Sequence, residues 1–245
     1  MNTGLYAACA GLLARTQELD LAANNLANAN TGGYRAQVPS FRSLLAGSGV
    51  LRNASTHATS EFGVLAESRL DQQQGPVDHT GNDLDLAIQG SGFFAVQTPQ
   101  GTRLYTRNGA FHVDAQNQLV TADGNFVLGT AGAILLPSGK PAVSADGIIS
   151  VDGALAGQLL VVDLGSGPGI EPQGAATFSA PAAAERPATG ASVVQGALEG
   201  SNVNAVSAAV GLVTLQRNMA LLQQALTAFH SEFNRIAAQE LPRIT

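Results

Sequence analysis

The strongest constraint on how this chain folds is a heptad seam near its C-terminus. Leu212, Leu215, Met219, Leu222, Leu226, Phe229, Phe233 and Ile236 follow one another at steps of 3, 4, 3, 4, 3, 4 and 3 residues, which lines them along one stripe of a helix. The spacing predicts a helix from about Val203 to Gln239, with Gly211 its one interior glycine. At about 1.5 Å per residue such a rod is about 55 Å long. Val206, Val210 and Val213 add a second apolar line beside the seam, so the band there is wider than one partner helix covers. At the other end of the chain Leu5, Leu12, Leu19 and Leu26 recur at intervals of seven. Small or mixed residues lie between them: Ala8, Cys9, Arg15, Thr16, Ala22 and Ala23. They predict a second amphipathic helix with a thinner seam, charged only at Arg15, Glu18 and Asp20. The economical arrangement winds the two ends together with other helices around them. An ordinary helical hairpin capping a single domain is the alternative.

Composition points the same way. Only 12% of the 245 residues are charged, about half the usual share, as expected of a surface largely covered by other subunits. A net charge of −6 with 12 Lys and Arg argues against nucleic acid or an anionic membrane as partner. The lone Cys9 allows no internal disulfide and reads as a small packed apolar residue. Met1-Asn2-Thr3-Gly4 has no basic start of a secretory signal, and no apolar run reaches the length of a membrane span. The expectation is a chain that is cytosolic or leaves the cell without a cleaved signal.

In chain order, the first helix is predicted over Thr3 to Asn28 and closes at Gly32-Gly33, where glycine supplies the left-handed residue of a helix end. Asn24, Asn25, Asn28 and Asn30 crowd that end. Their amides either bridge to neighbouring backbone or mark a frayed terminus. Residues from Tyr34 to about Thr80 read as mixed, with turn-rich Gly47-Ser48-Gly49 and a polar loop or edge element over Asn53 to Ser60. From Leu84 strands take over, the first alternating Leu84, Leu86, Ile88 with Asp85, Ala87, Gln89. Short strands follow at Phe93–Val96, Leu104–Arg107, Ala110–Val113, Gln118–Thr121, Asn125–Leu128, Ile148–Val151, Gln158–Asp163 and Val193–Leu198. Asn108-Gly109, Asp123-Gly124, Asp146-Gly147 and Asp152-Gly153 read as turns between them. Residues 165 to 192, rich in Gly, Ala and Pro, read as a surface excursion or linker, and Ser201 or Asn202 as the N-cap of the last helix. The fold class is therefore α+β: an antiparallel β domain inserted between long N- and C-terminal helices that pair as a coiled coil. The divisions are 1–33, first helix; 34–83, connecting stretch, partly extended; 84–198, β domain; and 199–245, last helix.

Candidate chemistry is sparse. His57, His79, His112 and His230 are scattered, with no pair at metal-ligand spacing. Gly90-Ser91-Gly92 opens a strand rather than a helix, so the helix N-terminus that holds a dinucleotide phosphate is missing. Asp78, Asn82, Asp83 and Asp85 lack the spacing of a calcium loop and read as a solvated turn. No nucleophile, base and oxyanion site assembles, so no catalytic residue, cofactor, metal or small-molecule substrate is expected.

Four blocks of the sequence carry a resemblance. Ala23-Asn24-Asn25-Leu26-Ala27-Asn28-Ala29-Asn30-Thr31-Gly32-Gly33-Tyr34-Arg35 resembles the ANNLAN-x-NT-x-G-[FY]-[KR] signature of the bacterial flagellar rod and hook proteins. Thr80-Gly81-Asn82 through Leu84-Asp85-Leu86-Ala87-Ile88 and Gly90-Ser91-Gly92-Phe93-Phe94 is similar to that family's second block. Tyr105-Thr106-Arg107-Asn108-Gly109-Ala110-Phe111 and Leu198-Glu199-Gly200-Ser201-Asn202-Val203-Asn204 are similar to its third and fourth. Asp83 stands where the family often has Pro, and the tail after Arg235 runs on to Thr245. The single β domain and the short stretch between Tyr34 and Leu84 resemble rod members, proximal before distal, more than the much longer hook protein.

The resemblance implies export through the flagellar type III apparatus without a cleaved signal, and residence in the periplasm-spanning rod of the basal body. It further implies head-to-tail helical assembly with copies of itself and other rod proteins, the helices forming an inner tube that transmits torque. The surfaces expected to meet neighbours are Leu5, Leu12, Leu19, Asn24, Asn25, Leu26, Asn28 and Asn30 at one end. At the other they are Ser201, Asn202, Asn204, Leu212, Leu215, Met219, Leu222, Leu226, Phe229 and Phe233. Two other classes stay open: a β-domain enzyme with a coiled-coil tail, which needs a deep pocket of convergent polar groups, and an adhesin. With three Tyr, nine Phe and no Trp, the adhesin lacks an evident aromatic patch.

Overall fold

The computed structural model of the chain describes residues 3–45, 61–165, 169–174 and 176–240. Gly47-Ser48-Gly49 and Asn53–Ser60 lie outside them, as do the side chains of Leu5, Cys9, Phe229, His230, Phe233 and Ile236. Two helices bracket the chain, α1 (Thr3–Ala27) and the 36-residue α2 (Ala205–Glu240), both built on Ala, Leu, Gln and other good helix formers. Between them run β1 (Gln37–Leu45), β2 (Glu61–Leu70), β3 (Val77–His79), β4 (Leu86–Gln89), β5 (Phe93–Gln97), β6 (Arg103–Thr106) and β7 (Phe111–Val113). They continue with β8 (Leu119–Thr121), β9 (Phe126–Gly129), β10 (Gly132–Ala133), β11 (Pro141–Val143), β12 (Ile148–Val151), β13 (Ala154–Gln158) and β14 (Val161–Asp163). The last are β15 (Glu171–Pro172), β16 (Thr177–Ser179), β17 (Arg186–Pro187), β18 (Ser192–Gln195) and β19 (Ala197–Glu199).

The chain forms two compact units. One comprises Asn25–Gln37 and Arg69–Ala205, the other Met1–Asn24, Val38–Ser68 and Val206–Thr245. In the first unit, the body, the main sheet runs β15-β16-β6-β5-β9-β8-β7, with β14 also on β5 and a separate β11-β12-β13 sheet beside it. The pairings are antiparallel. β5 explains the apolar run that the sequence carries there. Phe94 and Val96 enter one core with Leu86, Ile88, Leu119, Val127 and Ile149. Phe93 and Ala95 enter a second with Tyr105, Leu128, Val162 and Phe178. A strand covered on both faces needs apolar residues at every position. Edge-to-face rings lock each side, Phe94 on Phe111 at 5.2 Å and Phe93 on Phe178 at 5.7 Å.

Several expectations change. β4 buries Leu86, Ala87 and Ile88 in succession, so the predicted alternation is not realised; β18 pairs alongside it and the body covers both faces. Residues 165–192 are no linker, because β15 and β16 extend the main sheet and place Phe178 in the second core. Gln158–Asp163 is two strands rather than one, and β1 and β2, which pair with each other, stand where the sequence read as mixed. Asp123-Gly124, Asp146-Gly147 and Asp152-Gly153 do join paired strands, but Asn108-Gly109 joins β6 and β7, which belong to different pairs. Gly109 is needed for close approach instead, since a Cβ there would lie 1.7 Å from the Leu86 carbonyl oxygen.

Against the run-length reading, Ala205–Ala228 is long and apolar enough to cross a membrane, at a mean hydropathy of 1.3. Alanine and valine lift the average across Gln216-Arg217-Asn218. Arg217 would nonetheless sit in hydrocarbon at a cost of about 3 kcal/mol or more.

Candidate assembly junction

The four motif blocks, far apart in sequence, meet inside the body at the roots of the two helices. The first contributor is the end of α1. Backbone bonds from Ala29 N to Leu26 O and Thr31 N to Asn28 O turn the chain, and Gly33 follows at φ 70°. A Cβ on Gly33 would come within 2.2 Å of Asn108 N, so both its conformation and its contact demand glycine. Asn25 spends its whole amide on the next segment. Its Nδ2 donates to Gln37 O at 2.8 Å, and its Oδ1 accepts from Gln37 N and Tyr34 Oη, both at 2.9 Å. Bridging is therefore what Asn25 does. Asn28 Oδ1 accepts from Thr31 Oγ1 at 3.1 Å, while Asn24 and Asn30 are exposed.

The second contributor precedes α2. Glu199 is fully buried between two buried guanidinium groups, Arg35 Nη2 at 2.7 Å from its Oε1 and Arg107 Nη1 at 2.9 Å from its Oε2. Gly75 N donates to Oε1 at 3.0 Å, and the Glu199 carbonyl accepts from Gly33 N at 2.7 Å. Arg107 also donates to Ile88 O at 3.1 Å and Gly90 O at 2.6 Å, and its Cζ lies 5.4 Å from the centre of the Phe93 ring. Arg35 donates to Gln73 O. Burial pushes both guanidiniums below their ordinary value, and Glu199 acts against that shift in each. One carboxylate faces two cations, and Arg35 Nε and Arg107 Nε find no acceptor among the described residues.

Asn202 completes the junction. Its Oδ1 accepts from Ala36 N at 2.7 Å, and its Nδ2 donates to Asp71 O and Gln73 O, both at 3.1 Å. It is therefore not a helix cap. α2 begins only at Ala205, and the buried Ser201 accepts from Val203 N at 3.2 Å; the two-residue delay past Val203 goes with Asn202 being held by the body. Asp85 also corrects the solvated-turn reading. It is buried, and its Oδ2 accepts from Thr80 Oγ1 at 2.6 Å and Asn82 Nδ2 at 2.9 Å. Asp78, Asn82 and Asp83 are exposed.

The helices carry the remaining predicted residues. Leu12, Leu19, Leu26, Leu212, Leu215, Met219 and Leu226 are half-buried, and Asn204 is exposed. Val206, Val210, Val213 and Leu222 are 74%, 63%, 54% and 41% exposed. Among the described residues no group of three or more His, Cys, Asp or Glu could hold a metal ion. Arg35, Arg107 and Glu199 lie within the sequence blocks but outside the predicted surfaces; the signal that marks them is their charge beside strand and glycine residues in a chain with few charges.

Comparison with known proteins matches this division of labour. Residues 5–35 match the flagella basal body rod protein family, 87–151 the flagellar hook protein FlgE/F/G D1 domain, and 194–237 the flagellar basal body rod FlgEFG protein C-terminal family. Each matched segment supplies one corner of the buried cluster: Arg35, Arg107 and Glu199. The FlgF rod protein of Mesorhizobium japonicum is 32% identical over 89% of both chains. FlgF of Escherichia coli is 33% identical over 96% of this chain and 97% of its own, and FlgG of Agrobacterium fabrum 33% over 91% and 94%. The class is that of flagellar structural proteins, not an enzyme family. Within it, the chain belongs to the flagellar basal-body rod proteins and is FlgF-like, a structural subunit of the rod.

Proposed function

We propose that the chain is a subunit of the proximal rod, assembling helically with copies of itself and with other rod proteins and carrying torque from motor to hook. The observation that carries this reading is the apolar surface of α2, with Val206, Val210, Val213 and Leu221 all more than half exposed. An exposed apolar line of this kind marks a surface that partners cover. In the assembled rod α1 and α2 pair as a coiled coil, and the Leu5-Leu12-Leu19-Leu26 and Leu212-to-Phe233 seams face neighbouring helices. Residues 1–33 and 199–245 then form the inner helical domain, 34–83 the connecting stretch and 84–198 the inserted β domain. The subunit reaches the periplasm-spanning rod through the type III export apparatus without a cleaved signal. It takes neither nucleic acid nor a small-molecule substrate. A distal-rod position is the second reading, favoured by the FlgG relative noted above. Imaging of basal bodies from a deletion strain tests the proposal. The rod should stop short at its proximal part; a full-length rod, or one lacking only its distal part, overturns the proximal assignment.

A further inference from the structure

We infer that Glu199 is a positioning residue that makes the seating of the α1 root conditional on the α2 root, through an asymmetry between its two arginines. Arg107 belongs to the body without Glu199, because the Ile88 and Gly90 carbonyls and the Phe93 face hold it. Arg35 has weaker independent support: beyond Glu199 it has the single Gln73 carbonyl and the charge of Asp71, and its Nε finds no acceptor among the described residues. Removing the carboxylate's charge therefore leaves Arg107 seated and Arg35 buried without its ion-pair partner, which disfavours its burial.

Three more bonds to this segment come from residues 199–202, and one from elsewhere in the body, Asp71 N to Ala36 O at 2.8 Å. Gly33 N donates to Glu199 O at 2.7 Å, Ala36 N to Asn202 Oδ1 at 2.7 Å and Asn202 N to Tyr34 O at 3.3 Å. The β sheets make no demand on residues 28–36, which form no strand. Segment 25–37 is thus a strap on the body, and residues 199–202, shortly before α2, are its buckle. In a rod subunit, and resting on that reading only for its use, one buried carboxylate would set where both helices leave the body.

The test is amide exchange on the full chain carrying Glu199→Gln, which keeps the shape and removes the charge. Exchange at Gly33, Ala36 and Gln37 should quicken about a hundredfold or more, while amides of β5, β8 and β9 change less than about tenfold. Uniform quickening throughout the body, or no change at the strap, overturns the inference. If Glu199→Gln does not fold, Arg35→Met removes the cation instead. The strap should then loosen while Gly75 N, bonded to Glu199, keeps its protection; loss of both together would overturn the asymmetry. A basal-body image with an intact proximal rod in the deletion strain would refute the proximal assignment and leave this result standing.

Discussion

Leu222→Asp separates what α2 does alone from what it does in company. Leu222 is 41% exposed in the single chain, so about two fifths of its side chain is left for a partner to cover. Burying a whole leucine is worth about 1.5–3 kcal/mol, so that fraction contributes about 1 kcal/mol per contact. A carboxylate forced into the same place adds a desolvation cost of several kcal/mol. At about 1.4 kcal/mol per factor of ten, each contact weakens by about a hundredfold or more. In the isolated chain the same substitution meets water, and its cost should stay near the surface value, within about 1 kcal/mol. The assay pairs thermal unfolding of purified protein, followed by circular dichroism, with swimming and basal-body imaging of a strain carrying only the variant. The expected result is a nearly unchanged melting curve and no complete rod. A melting loss as large as that of a core truncation would mean the seam is already satisfied within one chain. Restored motility would mean it is not an assembly surface.

Three further perturbations address the body and helix separately. Phe94→Ala removes a fully buried ring shared by the first core and should cost about 3–5 kcal/mol in denaturant unfolding; a cost under about 1 kcal/mol would contradict the two-faced burial of β5. Gly109→Ala drives a Cβ toward the Leu86 carbonyl and should destabilise by about 3 kcal/mol. Gly211→Ala, on an open helix face, should instead stabilise by about 0.5–1 kcal/mol; equal effects in unfolding titrations would refute the contact argument. Burial, the hydrogen bond to Glu185 and that residue's charge hold the Tyr105 phenol above its ordinary value of 10.0. A raised value keeps the proton on the folded form after the unfolded form has lost it. The associated stability is therefore complete below about pH 10 and falls above it, by at most about 1.4 kcal/mol per pH unit. Unfolding midpoints measured from pH 9 upward should show Tyr105→Phe with a shallower alkaline decline than the parent protein.

The exposed helices also bear on how the two ends of the molecule differ energetically. The body has two apolar cores, ring pairs and a buried ion cluster of its own. α2 shows no comparable burial, and all of its described side chains are half-buried or exposed. A helix of that length gains most of its stability from packing of its apolar face. The body therefore carries its own cores, whereas the apolar face of α2 is left for something else to cover.

What the residues determined unaided was whatever depends on local period and local backbone. The seven-residue repeats specify both helices within two residues of their ends, because a stripe of leucines at that spacing has one helical reading. The Asp-Gly pairs specify three of the strand connections, because positive φ at those sites favours few residues besides glycine and asparagine. Asn108-Gly109 shows the limit: the same dipeptide chemistry marked the position, but only the approach of β4 explains the missing side chain. Tertiary structure alone decided the junction. Arg35, Arg107 and Glu199 stand 72 and 92 residues apart in sequence, and no local rule pairs charges at such distances. Nor could local pattern assign Asn202, whose place before a helix suits a cap as well as a bridge. Its amide went to the body, where it joins Ala36 N, Asp71 O and Gln73 O, partners 166, 131 and 129 residues away that no local pattern anticipates.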